Sequence, residues 1–267
     1  MAEAYIVDAV RTPVGRRGGG LSAVHPADLG AHSLKALMER TGVDPGAVED
    51  VIFGCVDTIG GQSGDIARTA WLAAGLPDHV PGTTIDRQCG SSQQAVHFAA
   101  QAVMSGTSDP IVAGGVQQMS TIPISSAMLV GEQFGYPDPF TGSTGWQERY
   151  GDQEVSQFRS AQMIADKWEC SRDEMEAFAV ESHERAIRAR DSGRFDAEIA
   201  PLGDVARDEG PREPNWEKIR SLKPLEEGGT ITAAVASQIS DASAALLIAS
   251  DRALAEHQLT PRARIHH

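Results

Sequence analysis

Positive charge is scarce in this chain: its 267 residues carry 23 Lys and Arg against 37 Asp and Glu, a formal charge of −14. Such an excess of acid repels polyphosphate backbones and anionic membrane surfaces, so nucleic acid is not an expected partner. Cysteine is also sparse. Cys55, Cys89 and Cys170 make no disulfide framework and fit no zinc spacing, so no metal is expected and a reduced, cytoplasmic setting is the simplest reading. Long apolar runs are missing: nothing approaches the ~18 consecutive residues of a membrane helix, and Met1 to Asp8 lacks the charged start and apolar centre of a signal peptide. Gly15 to Gly20 is not followed by the Lys-Ser/Thr of a phosphate loop, and neither G-x-G-x-x-G nor G-x-S-x-G occurs, which removes support for nucleotide hydrolysis, dinucleotide binding and serine hydrolysis. No internal repeat or low-complexity tract is present. Aromatics are only 5% of a composition that is 41% hydrophobic, so aliphatic side chains must fill the core of one large or two modest domains.

What is there alternates. Ala4 to Val10 reads as a strand, and a helix follows from Pro26 to a stop at Gly42. Asp44-Pro45 reads as a cap and first-turn pair, and Val51 to Val56 as a strand. A helix near Ile66 to Ala74, a strand at Gly82 to Ile85, a helix from Cys89 to Ser105 and a strand at Pro110 to Ala113 continue the series. This alternation predicts an α/β fold with a mostly parallel, helix-covered sheet. From Ser120 to Glu154 the periodicity fades into loops. Ser171 with Glu174 then makes a capping box for a helix that runs to Gly193, with Met175, Phe178, Ala179, Ser182 and Ala186 as its stripe. Strands are expected at Ile231 to Ala236 and Ala244 to Ala249, rejoining the first sheet, and Arg262 to Ile265 reads as the opening of another strand. The closing His266-His267 fits either a missing remainder or the scar of a purification tag.

Between Arg87 and Asp109 no side chain carries a fixed charge, and apolar residues from Ala95 to Met104 nearly encircle the helix, which predicts that it is interior. His97 on it reads as a hydrogen-bonded core residue, and His183 as part of a charged helical face. Cys89 stands at the start of the interior helix, before the small residues Gly90, Ser91 and Ser92. Open first-turn N–H groups and the helix dipole favour a thiolate there and would stabilise an oxyanion beside it. From the residues alone, a nucleophile and a buried structural cysteine both remain open.

Asp86-Arg87-Gln88-Cys89-Gly90-Ser91-Ser92 resembles the nucleophile motif of the thiolase family, and other segments match that family in the same order. They are Arg11-Thr12-Pro13-Val14-Gly15, Ala67-Arg68 with Ala73 to Pro77, Ala113 to Ser120, Ser171 to Glu174, Ser182 to Ala186, Gly193-Arg194-Phe195, and Gly229 to Ala233 with Ser237 and Asp241. The resemblance covers essentially the whole chain. It implies a thiolase-like layered fold with an N-terminal domain at 1–119, an inserted, coenzyme A-binding loop domain at 120–240, and a return at 241–267 that also starts a C-terminal repeat domain not found here. It implies acyl exchange between coenzyme A thioesters, with Cys89 holding the acyl group, no tightly bound cofactor, and coenzyme A as co-substrate. It further implies a homo-oligomer joined through N-terminal domains.

The family also uses a histidine in Gly-His-Pro and a second cysteine in Cys-x-Gly. Neither motif occurs here, where the only His-Pro is His25-Pro26, so the chain is expected not to turn over alone. The resemblance places Arg212 near the nucleotide end of coenzyme A and Ser237 near its pantetheine arm. Arg207 to Lys223 holds five basic and four acidic residues, hospitable to an anion in so acidic a chain, though an ordinary solvated loop has the same look. Gln157-Phe158 replaces the usual Met-Gly, Ala233-Ala234-Val235 replaces Ala-Gly-Asn, and Gln117 stands where Glu is common; the first change suggests a bulky or branched acyl group, as from ring or sterol breakdown. Two other readings stay open: a ketoacyl-synthase-like condensing enzyme, and a non-catalytic coenzyme A-binding or assembly subunit completed by another chain.

Overall fold

The computed structural model describes residues 3–266, so the tag reading of the chain end lies outside the described residues at His267. The chain divides into two compact units: Met1–Val130 with Ala197–Glu209 and Ile239–His267, and Gly131–Asp196 with Gly210–Gln238. Residues 120–130 and 197–209 thus belong to the first unit.

The first unit begins with β1 (Tyr5–Arg11), β2 (Gly15–Arg16), α1 (Pro26–Thr41), β3 (Asp50–Gly54), α2 (Ile66–Ala73), β4 (Gly82–Ile85), α3 (Ser91–Ser105), β5 (Ile111–Gln118) and α4 (Ser126–Leu129). The second contains α5 (Thr144–Tyr150), α6 (Gln157–Lys167), α7 (Arg172–Asp191) and α8 (Trp216–Ser221), after which β6 (Ser240–Ala249), α9 (Asp251–Glu256) and β7 (Ala263–Arg264) return to the first. The mixed sheet has the order β4-β3-β5-β6-β1-β7, with β2 also paired to β6. β4, β3 and β5 are mutually parallel; β6 is antiparallel to both β5 and β1, so β1 points the same way as the first three.

Alternation along the strands assigns the two sheet faces. Val51, Phe53, Val112, Val116 and Leu247 join Leu29, Leu34, Leu37 and Trp71 in a core under α1 and α2. Ile52, Ile111, Ala113 and Ile248 point the other way and pack with Ala95, Ala99, Ala100 and Val103 of α3. Caps agree with the local chemistry: Pro26 opens α1, Gly42 closes it in the left-handed region at φ 66°, and Asp44 accepts the amide of Gly46 at 2.9 Å. Ser171 and Glu174 cap α7 reciprocally.

Three expectations need correction. No strand forms over 231–236; an isolated bridge joins Pro224 to Thr232, because Gln162 Oε1 accepts the amides of Thr230 (2.7 Å) and Ile231 (3.3 Å) and so does the work of a neighbouring strand. The loop stretch 120–154 contains α4 and α5, short helices whose few turns leave no periodic stripe to read. α3 is not interior on all sides: Phe98 is 43% exposed, and His97 and Gln101 beside it are exposed as well, so His97 is not a core residue. Among the described residues no helix is long and apolar enough to cross a membrane.

Candidate active site

Cys89 lies just ahead of α3 and is exposed. The chain leaves the edge strand β4 at Ile85 and turns through Asp86, Arg87 and Gln88, the last in the left-handed region at φ 49°. Gly90 is the N-cap of α3 and, having no side chain, caps none of its amides; the Ser91 amide is taken by the Gln88 carbonyl at 3.0 Å, and those of Ser92 and Gln93 follow it in the first turn. Charge developing on an atom beside the sulfur would meet those dipoles.

Two glycines missed as functional by the sequence reading bring this helix start onto the sheet. A β carbon at Gly54 would fall 2.3 Å from the amide nitrogen of Ser92, and one at Gly115 would fall 2.0 Å from Ser92 Oγ. The available signal was a glycine ending each of two apolar runs that flank the centre of the sheet. Around these strand ends, buried amides hold the loops. Gln62 donates to the carbonyls of Val56 (3.0 Å) and Asp57 (2.9 Å) and accepts the amide of Gln118 at 2.8 Å, while Asp57 accepts the amides of Ser125 and Ala127. Gln117 Oε1 takes the amide of Val56 at 2.9 Å, and its Nε2 is buried with no hydrogen-bond partner among the described residues.

The other thiols differ from Cys89. Cys55 is buried at the end of β3, where desolvation, with Asp86 and Asp57 nearby, pushes its thiol up to about 12. A thiol so held stays protonated and inert near neutrality. Cys170 is half-buried and belongs to the second unit.

Ser237 and Arg212 also lie in the second unit. Ser237 lines an open cavity of about 1000 Å³ walled by α6, α7 and the segment 231–238. Met175, Phe178, Ala179 and Ser182, members of the helical stripe of α7, line this cavity, and Phe178 is 75% exposed. The buried side of α7 carries Val180 and Glu176; Glu176 is bonded to Arg172 at 2.7 Å, and Arg172 also donates to carbonyls at the end of α8. His183, read as part of a charged helical face, is half-buried in the cavity wall, and its Nδ1 accepts the amide of Arg212 at 3.4 Å. Burial first, and then the Arg212 charge, hold its imidazole below the ordinary range. Arg212 itself is exposed and adjoins the cavity through that contact. Ser237 therefore lines the cavity and Arg212 stands next to its His183 wall, whereas Cys89 belongs to the other unit.

The mixed charges of 207–223 also separate. Asp208 turns to Arg11, and Glu209 accepts the amides of Arg16 and Gly20, all in the first unit. Residues 210–223, in the second unit, keep four basic and two acidic side chains. Among the described residues no three metal-ligating side chains gather into a candidate metal site.

The family description "Thiolase, N-terminal domain" matches residues 4–252. The chain belongs to the thiolase family. It is 61% identical to the steroid 3-ketoacyl-CoA thiolase FadA6 of Mycobacterium tuberculosis, over all of this chain and 67% of that protein. It is 41% identical to a beta-ketoadipyl-CoA thiolase of Pseudomonas aeruginosa, over 98% of this chain and 70% of the relative. The crystal structure of the Bacillus anthracis acetyl-CoA acetyltransferase superposes with a TM-score of 0.82 at 33% identity, covering 99% of this chain and 70% of that one. This thiolase thus has the mixed, helix-covered sheet of its relatives, and acyl transfer on coenzyme A thioesters is the chemistry of its family.

Proposed function

We propose that this thiolase chain supplies the acyl-accepting cysteine and coenzyme A-binding surface of a 3-ketoacyl-CoA thiolase. The observation that carries the reading is the exposed residue Cys89 on a tight turn ahead of a helix whose N-cap, Gly90, has no side chain. In thiolysis the Cys89 thiolate attacks the keto carbon, the bond between that carbon and its α carbon breaks, and the electron pair passes to the enolate of acetyl-CoA. Protonation of the enolate releases acetyl-CoA and leaves an acyl-cysteine. The thiol of a second coenzyme A then takes the acyl group, and Cys89 serves as leaving group. Run backwards, the same steps condense two acyl-CoAs.

The two proton transfers are assigned to a Gly-His-Pro histidine and a Cys-x-Gly cysteine, motifs this sequence does not contain, so full turnover depends on groups from outside it. Ser237 and the Arg212 margin of the 1000 Å³ cavity are assigned to the pantetheine arm and the phosphates of coenzyme A. The steroid substrate named for the 61% identical relative, together with Phe158 in place of glycine, favours a bulky, ring-derived acyl group. A cytoplasmic homo-oligomer joined through the first unit completes the reading.

Intact-mass analysis after incubation with acetyl-CoA tests it. The expected product is a single acetyl adduct that maps to Cys89 and is lost in Cys89→Ala. An adduct on Cys170, or one that survives in Cys89→Ala, overturns the assignment. Calorimetric titration with coenzyme A is expected to show affinity reduced about tenfold by Arg212→Ala, the scale of one charge-assisted contact.

A further inference from the structure

Three residues before and two residues after Cys89, a side-chain oxygen closes on the backbone of the turn that carries it. Asp86 Oδ1 accepts the amide of Gln88 at 2.7 Å. Ser91 Oγ accepts the amide of Arg87 at 2.8 Å and, with its own proton, donates to the carbonyl of Gln88 at 2.5 Å. Backbone bonds from Gly90 to the Arg87 carbonyl (3.1 Å) and from Ser91 to the Gln88 carbonyl (3.0 Å) complete the turn, and the Arg87 guanidinium is bonded to Gln94 Oε1.

The placement of these bonds matters more than their number. Gln88 is held in the left-handed region, where a β carbon is disfavoured, so the backbone left to itself would relax and swing the next residue away. Both clasps act on Gln88: Asp86 holds its amide and Ser91 holds its carbonyl. The residue whose direction this sets is Cys89. Ser91 is 3% exposed and rests against the strand end at Gly54, so its hydroxyl is anchored beside the sheet. α3 does not depend on it, since Ala95, Ala99 and Val103 pack the helix onto the sheet.

We infer that Ser91 and Asp86 are positioning residues for Cys89, a two-sided clasp that aims the sulfur for attack on a thioester without touching the substrate. The inference rests on the reading of Cys89 as acyl acceptor. A clasp of this kind affects reactions that need a defined line of approach and spares those that need only an accessible thiolate.

Two rates measured on the same protein separate these cases: acetyl transfer from acetyl-CoA to Cys89, followed by intact mass, and alkylation by iodoacetamide over about pH 6 to 10. Ser91→Ala and Asp86→Ala are expected to slow acetyl transfer by about tenfold or more, while alkylation and its pH profile stay within about twofold. Ser91→Thr and Asp86→Asn, which keep the acceptor oxygens, are expected to restore acetyl transfer. Wild-type acetyl transfer in both alanine variants overturns the inference, and so does a parallel fall in both rates, which marks a general loss of structure. Asp86 is exposed, so Asp86→Ala decides the matter if Ser91→Ala fails to fold. If the wild-type chain is not acetylated at Cys89 while its sulfur is alkylated normally, the acyl-transfer reading itself fails and the clasp fails with it.

Discussion

Gly54 and Ser92 approach so closely that a single methyl group does not fit between them: a β carbon at 54 would stand 2.3 Å from the Ser92 amide nitrogen and equally near the carbonyl carbon of Ser91. Both neighbours are backbone, so no rotamer change relieves the clash. Gly54→Ala is therefore expected to displace the first turn of α3, lower stability by about 1–3 kcal/mol in urea unfolding, and slow acetyl transfer to Cys89. Gly145→Ala, where nothing lies within 4 Å of the added carbon, is the control and is expected to be close to neutral.

Arg11 joins the first strand to the segment 197–209. Its guanidinium meets Asp208 with two bonds of 2.6 and 3.0 Å and Glu198 with one of 2.8 Å, and the Asp208 side chain is only 11% exposed. Arg11→Ala leaves that carboxylate enclosed without its cation. We expect a loss of about 3 kcal/mol in urea unfolding and early proteolytic cleavage within 197–209, whereas Arg185→Ala, which breaks a surface pair with Glu181, should change stability by less than about 1 kcal/mol.

The thiols should label in order. With Cys55 pushed up to about 12, only about one in ten thousand of its molecules is ionised at pH 8, and the sulfur is enclosed. Limited iodoacetamide treatment followed by peptide mapping is expected to modify exposed Cys89 and to leave Cys55 unmodified until the chain is unfolded. Rapid labelling of Cys55 in the native protein would contradict this burial.

His183 gives the second unit a pH dependence. Burial and Arg212 hold its folded pKa below the ordinary 6.5, so as pH falls the unfolded chain takes up the proton first. Stability is intact above about pH 6.5 and declines as pH drops through that value toward the lower folded pKa. His183→Asn, which offers Oδ1 in place of Nδ1 to the Arg212 amide, is expected to flatten the decline in melting temperature between about pH 7.5 and 5.5.

Local chemistry was legible without coordinates wherever one residue decides it. Pro26 and Gly42 bound α1, Asp44 caps its turn, and Ser171 with Glu174 opens α7, since each acts on amides within a few residues. The position of Cys89 ahead of a helix was legible for the same reason. The segment 231–236 was not, because its amides are satisfied by Gln162, about seventy residues away. Nor was the role of the Met175 and Phe178 stripe, since periodicity shows that a helix has an apolar face but not whether a core or an open cavity lies against it.

By itself, then, the sequence determined the alternation of strands and helices, their caps, the acidic surface and the ordered motifs of the family, all properties of near neighbours along the chain. Tertiary structure alone decided that Gly54 and Gly115 admit the start of α3, that Asp208 answers Arg11, and that His183 faces a cavity beside Ser237. Those depend on which distant segments come within a few ångströms of one another, and close packing, unlike capping, is set by the whole fold.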